Sequence, residues 1–467
     1  MKKVVLGLAT ITMLAVQCRK IEVDGATTVL GGNGGTLENV ILEGRITESR
    51  TLKSQYTYKL RGLVYVTNGA ILTIEPGTKI VGELNKQGGL IITRSCKINA
   101  EGTIDKPIVF TSEASTPSRG DWSGVVILGN APTNSSFNGV QGVGEIEGGV
   151  NNSDGLGLYG TPITQLQNPV DNSGILKYVR IEYAGYAFLP DKEINGLTFG
   201  GVGSGTVIDN VQVSYANDDS FEWFGGTVNC KHLIAYRGLD DDFDTDNGFS
   251  GKVQFGIGLR DSSVADISKS EAFESDNDAN GSTLTPSTTC VFSNMTVMGP
   301  RAALNNIGNS LFLCGAQIRR NSNMNLFNSI IMGYPVGLLI DASKGSPTDL
   351  NIPNTLNVQN TIISGSPLAV NYAASITAPT GATVASITTW FQTAAYGNSI
   401  LTTNPEVGLS APFNYLTPDF NPTSATVPAA TGATFTHSKL VTGFTAVTYK
   451  GACAVGDTWW KTWTKYM

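Results

Sequence analysis

Histidine is almost missing from this 467-residue chain: His232 and His437 are its two examples. That disfavours a zinc centre, and no serine–histidine–acid arrangement is visible. His232 follows Lys231 in a strand-like run and reads as structural. Long runs of strong helix formers are absent, as is any Cys-x-x-Cys spacing. No phosphate loop occurs, and GGNGGTLENV (31–40) is glycine-rich without matching G-x-G-x-x-G, so nucleotides are excluded as partners and the stretch reads as a linker. Charged residues make up only 15% of the chain, with a net charge of -7. A negative balance disfavours nucleic acid and anionic membrane surfaces and suits cations or neutral glycans.

What the chain does have is glycine, 54 of them, among short alternating apolar stretches. This is the composition of many short strands and tight turns. The opening MKKVVLGLATITMLAVQCRK joins a basic start to an apolar run, Val4 to Val16, that is too short to span a bilayer. It predicts an export signal over 1–17. Cys18 stands where a bacterial lipoprotein carries its lipid, although Gln17 replaces the usual small residue before it. The expectation is a lipid anchor at Cys18 and an outer-membrane or extracellular location. Five further cysteines (96, 230, 290, 314, 453) read as small buried hydrophobes, with a Cys290–Cys314 disulfide as the alternative.

Repeats set the architecture. NMTVMGP (294–300), NSIIMGYP (328–335) and NTIISGSP (360–367) share Asn, Gly and Pro positions. VRIEY (179–183) matches VQVSY (211–215), and LIAYR (233–237) follows. Units of this size without helical stretches or a leucine spacing fit a solenoid of short strands, a parallel β-helix. Asn294, Asn328 and Asn360 are expected at one corner, either stacked as a ladder or simply starting each turn. The fold expected is all-β: a right-handed, single-stranded parallel β-helix with long insertions and a C-terminal cap. Its expected divisions are a linker and lead-in over 18–49, coils over 50–445 interrupted near 131–172 and 371–398, and an aromatic cap over 446–467. Val384, Ile387, Trp390 and Phe391 are spaced for one face of a short helix. Trp459, Trp460 and Trp463 predict a packed cap, or alternatively an exposed stacking platform for glycan.

LTIEPGTKIVG, INAEGTIDKPIVFTS, GDWSGVVILG and VQFGIGLRD resemble stretches of secreted bacterial right-handed parallel β-helix proteins, particularly a group common in the Bacteroidota. The resemblance covers roughly 50 to 467. It implies the fold and says little about activity.

Three segments carry the chemistry: DDSFEW (218–223), DDDFDT (240–245) and EAFESDND (271–278). Each surrounds a phenylalanine with acids, and Phe221 and Phe243 keep the 22-residue offset of the neighbouring strands. With the three phenylalanines inside, Glu222, Asp244 and Glu274 point outward at coil spacing, about 5 Å apart. Such repulsion calls for a cation, a proton or solvent. Asp276-x-Asp278-x-Asn280-Gly281 matches the start of an EF-hand loop, but Ser287 stands where the closing Glu belongs, so that motif fails while its oxygens still suit calcium. The candidate Ca²⁺ ligands are Asp219, Glu222, Asp242, Asp244, Asp246, Glu274, Asp276, Asp278 and Asn280. The rival reading is solvated Asx turns.

The leading functional expectation is a non-catalytic surface module binding glycan or a partner protein, with a calcium-stabilised acidic patch. The alternative is a polysaccharide lyase or glycoside hydrolase. There Glu222 with Asp244, or Asp219 with Asp241, forms the carboxylate pair. Arg237 would serve as base in a lyase, and Arg237 and Arg260 as binders of an acidic sugar.

Overall fold

A computed structural model describes residues 39–187 and 193–467. The export segment and Cys18 lie outside the described residues. One continuous sheet of 28 strands winds through the chain. Its strands pair in parallel with the strand one coil ahead, which is the right-handed parallel β-helix expected from the repeats. Within the stretch expected as linker and lead-in, Asn39–Ile46 pairs with Thr57–Val66.

A full coil has three short strands, the first two of which run together in some coils. The coil Lys252–Gln254, Ile257–Leu259, Phe273–Ser275 is representative. The registers predicted by repeat matching hold: Val179 pairs with Val211, and Val211 with Leu233. Inward positions are apolar and form one long core through all coils. Strand alternation therefore determines what each outward face carries.

Between the first two strands of each coil the chain turns through a left-handed residue. Asn210, His232, Phe255, Asn294, Asn328 and Asn360 share this corner, with φ between 51° and 64°. Asparagine tolerates that conformation better than most residues. The three repeat asparagines thus start turns at one corner. Their amides point to the C-terminal tail rather than to each other: Asn294 donates to the Tyr449 carbonyl at 2.9 Å and Asn360 to the Thr434 hydroxyl at 2.7 Å.

The insertion after residue 130 forms two small antiparallel hairpins. It lays Ile146, Val150 and Tyr159 over Ile91, Val126, Leu128 and Phe224 on the outside of the third strands. The expected helix runs Val384–Phe391, held at its start by a reciprocal Thr383–Ser386 capping box. It buries Ile387 and Phe391 in the main core, next to the last coils, while Val384 is exposed.

The tail caps the solenoid from the side. Val407, Phe420, Cys453, Trp460 and Trp463 bury the outward Ile234, Tyr236, Ile257, Leu259, Met298 and Ile330 of the second strands. Trp463 is fully buried and Trp460 nearly so, so these two are packing residues and form no open platform. Side-chain amides clasp the tail backbone. Gln212 exchanges two hydrogen bonds with Lys465, Gln254 two with Thr445, and Asn328 two with Thr434. All five described cysteines are buried and free, so Cys290 and Cys314 are not bridged. Among the described residues no helix is long and apolar enough to cross a membrane.

Candidate acidic site

The site begins with the phenylalanines. Phe221, Phe243 and Phe273 are fully buried and stacked, with ring centroids 5.7 and 5.4 Å apart. Their register pairs Phe221 with Phe243 and Phe243 with Phe273. The next residue on each strand must point outward, and Glu222, Asp244 and Glu274 accordingly form one column. The same register aligns Asp219, Asp241 and Glu271, two places before each phenylalanine. Asp218 and Asp240 precede them.

Seven of these acids interlock in three groups. Oxygens of Asp218, Asp219 and Asp240 lie within 4.8 Å of one another, as do those of Asp219, Glu222 and Asp244, and those of Asp240, Asp241 and Glu271. Like charges at this spacing repel by about 3 kcal/mol per pair at an effective dielectric of about 20. The hydrogen bonds offered to them are few. Asp219 accepts from the Asp241 backbone at 2.8 Å, Asp241 from the Glu271 backbone at 2.6 Å, and Asp240 from Ser268 at 2.8 Å. Asn195 donates to Glu222. Asp240 Oδ1, Asp244 Oδ1, Glu271 Oε1 and the Asn195 Oδ1 are buried with no partner.

Protonation reflects this crowding. Burial first, then neighbouring carboxylates, hold Asp218, Asp219, Glu222, Asp244 and Glu271 well above the usual range. Asp240 is pushed up to about 8 by burial and Asp241. Asp246 is also pushed up to about 8, by burial and Asp276. Without a cation, the cluster must keep protons through neutral pH.

The predicted ligands therefore separate. Asp219, Glu222 and Asp244 converge. Asp242 does not: it is fully buried against Arg260 at 2.9 Å, its charge spent inside the fold. Arg319 binds Glu274 and Asp276, and Arg320 binds Asp276 at 2.5 Å. Asp278 closes a local turn on Asn280 and Ser282, and Asn280 is exposed. The failed EF-hand segment is thus an Asx turn. Arg237 also lies apart. It is paired with Asp261 and held by Tyr215 and the Met467 carbonyl, so it is not placed as a base for Glu222 or Asp244. His232 is structural, bonded to Asp209 at 2.7 Å and stacked on Phe255.

Asp218, Asp240 and Glu271 were absent from the expected ligand set, and Asp241 entered it only as a catalytic partner. The doubled acids at the 22-residue offset carried the signal. A cleft of about 310 Å³ opens over Asp218 and Asp240, walled by Glu147, Glu193, Asp266, Ile267 and Ser268. Among the described residues no Lys, Arg or His lines it. The donor set is hard oxygen throughout, which fits a divalent cation and does not single out calcium.

A family model described as a pectate-lyase-like beta helix domain matches residues 44–400, more than half of the chain. The chain belongs to the pectate-lyase-like β-helix family. No curated protein and no solved structure matches it.

Proposed function

We propose that this pectate-lyase-like β-helix protein cleaves polysaccharide at the cleft over the acid cluster, with a divalent cation, Ca²⁺ first among candidates, held by Asp219, Glu222, Asp244 and Asn195. The observation that carries this reading is the meeting of an open cleft with three interlocking groups of carboxyls. When bound, the cation would offset the charge of the three acids and fix their orientation. Acid–base work in the cleft falls to carboxyls, because Arg237 is engaged elsewhere and, among the described residues, no Lys, Arg or His lines the walls. That favours glycoside hydrolysis over lyase chemistry. Asp218 lines the cleft beside Asp219, and is the group placed to protonate a leaving oxygen.

The test is a polysaccharide panel assayed for new reducing ends and for the ultraviolet absorbance of unsaturated products, with Ca²⁺ or EDTA. Reducing ends without unsaturation, lost in Asp218→Asn, are expected. Unsaturated products would instead assign a lyase. The second reading, a non-catalytic module that binds glycan or a surface protein, is favoured by the depth of Glu222, which is 5% exposed. Binding without turnover on the whole panel would select it. An exported, lipid-anchored location completes the proposal; Cys18→Ser is expected to release the protein from membranes, and continued membrane association would reject the anchor.

A further inference from the structure

Three groups of acids share only two residues. Asp219 belongs to the first and second groups, and Asp240 to the first and third. The second group (Asp219, Glu222, Asp244) and the third (Asp240, Asp241, Glu271) have no residue in common. One ion therefore cannot take its ligands from both as two separate sets of three.

The third group has its own free oxygens. Glu271 is 1% exposed, and its Oε1 has no partner although its neighbours in the group are both acids. Asp240 gives one oxygen to Ser268 and leaves Oδ1 buried and unpartnered. Asp241 gives one oxygen to the Glu271 backbone, and its carboxyl meets that of Glu271 in a side-chain hydrogen bond. Asp240 and Glu271 thus each keep one buried, unpartnered oxygen for a ligand, and a cation there would replace the proton that Asp241 and Glu271 share. The nearby guanidinium does not serve them: Arg260 is committed to Asp242 and to the Leu239 carbonyl. Arg319 is committed to Glu274 and Asp276. A single divalent ion at the second group would leave Asp240, Asp241 and Glu271 without one. Hard carboxylate oxygens this close together suit a hard divalent cation.

We infer that the protein binds a second divalent cation at Asp240, Asp241 and Glu271, distinct from the one at Asp219, Glu222 and Asp244. This rests on the cation reading of the first group. It adds a position that opens directly to the cleft through Asp240, with Asp219 and Asp240 linking the two sites. Ser268 ties Asp240 to Asp266 in the loop that forms the cleft wall, so filling this site also fastens that wall.

Calorimetric titration of the EDTA-stripped full chain with Ca²⁺ tests the inference. Two Ca²⁺ per chain are expected. Glu271→Gln is expected to lose one, with at least a tenfold loss of affinity there, and to keep the other; Glu222→Gln is expected to do the reverse. If Glu271→Gln fails to fold, Asp240→Asn, at a half-buried position, gives the same reading, with circular dichroism checking the fold. One Ca²⁺ that Glu222→Gln abolishes and Glu271→Gln spares would overturn the second site and leave the first intact. Two Ca²⁺ that both Glu271→Gln and Asp240→Asn spare would place the second ion elsewhere and overturn the inference. No binding at all would sink both sites.

Discussion

Two outward faces of the same coils meet opposite fates. On the second strands, outward Ile234, Ile257 and Ile330 are covered by the protein's own tail. On the third strands and the turns leading into them, Glu222 and Asp244 lie against Asp219, and Glu271 against Asp240 and Asp241, with oxygens of Asp240, Asp244 and Glu271 buried and unpartnered. The inward sides of both faces belong to one core, so packing does not account for the difference. The tail-covered face is closed by the chain itself and is apolar, with Trp460 Nε1 and Tyr466 Oη left unpartnered beneath the tail. The acidic face is complete only with protons or cations from outside. Buried polar atoms without a partner occur elsewhere in the fold too, but here those of Asn195, Asp240, Asp244 and Glu271 gather around interlocking carboxyls.

That contrast can be broken from either side. The largest effect expected is on the covered face. Trp463→Ala should cost about 3–5 kcal/mol, because a fully buried indole leaves a cavity beneath the tail; urea denaturation measures it. Phe243→Ala should cost a similar amount, as its ring stacks between Phe221 and Phe273. Next comes ligand dependence. Saturating Ca²⁺ should stabilise the protein by about 3–4 kcal/mol at roughly a thousand times its Kd. Thermal melts with Ca²⁺ and with EDTA that coincide would remove the cation from the acidic face.

A smaller effect of opposite sign is expected one residue after Phe243. Asp244→Asn should stabilise the cation-free protein by about 1–3 kcal/mol at pH 8, since it removes a buried charge with an unpartnered oxygen. It should also abolish part of the Ca²⁺ stabilisation. The pH dependence follows from raised carboxyl pKa values. Asp240 and Asp246 titrate near 8 when folded and near 4 when unfolded. Between those values the folded state holds more protons. The contribution of Asp240 and Asp246 to cation-free stability is therefore full below about pH 4 and is lost as pH rises through about 8. Ca²⁺ should flatten that slope, because metal binding takes the deprotonated form. Smallest is the loss of one clasp: Gln254→Ala removes two hydrogen bonds to Thr445 and should cost about 1–2 kcal/mol.

The repeats made the coils legible. Val179, Val211 and Leu233 pair as their spacing implied, because a parallel register of short strands repeats a sequence pattern at each coil. The phenylalanine column was legible for the same reason, and with it the outward column of Glu222, Asp244 and Glu274. Much of the site was not. Asp242 and Asp244 are both aspartates two residues apart, yet one pairs with Arg260 and the other lies against Asp219 and Glu222. Glu274 and Asp276 looked like ligands until Arg319, from a strand more than forty residues later, took them. Asp278 looked like a calcium loop and closes on its own Ser282.

By itself the sequence determined the periodic part of this protein: a parallel β-helix with aromatic rings inside and a column of acids outside. Strand alternation and a recurring coil length are local properties, so they are written in order along the chain. Only the tertiary structure decided which acids stay free. That depends on where a distant arginine arrives and on which face the tail lies, and such choices are made across coils rather than along the strand.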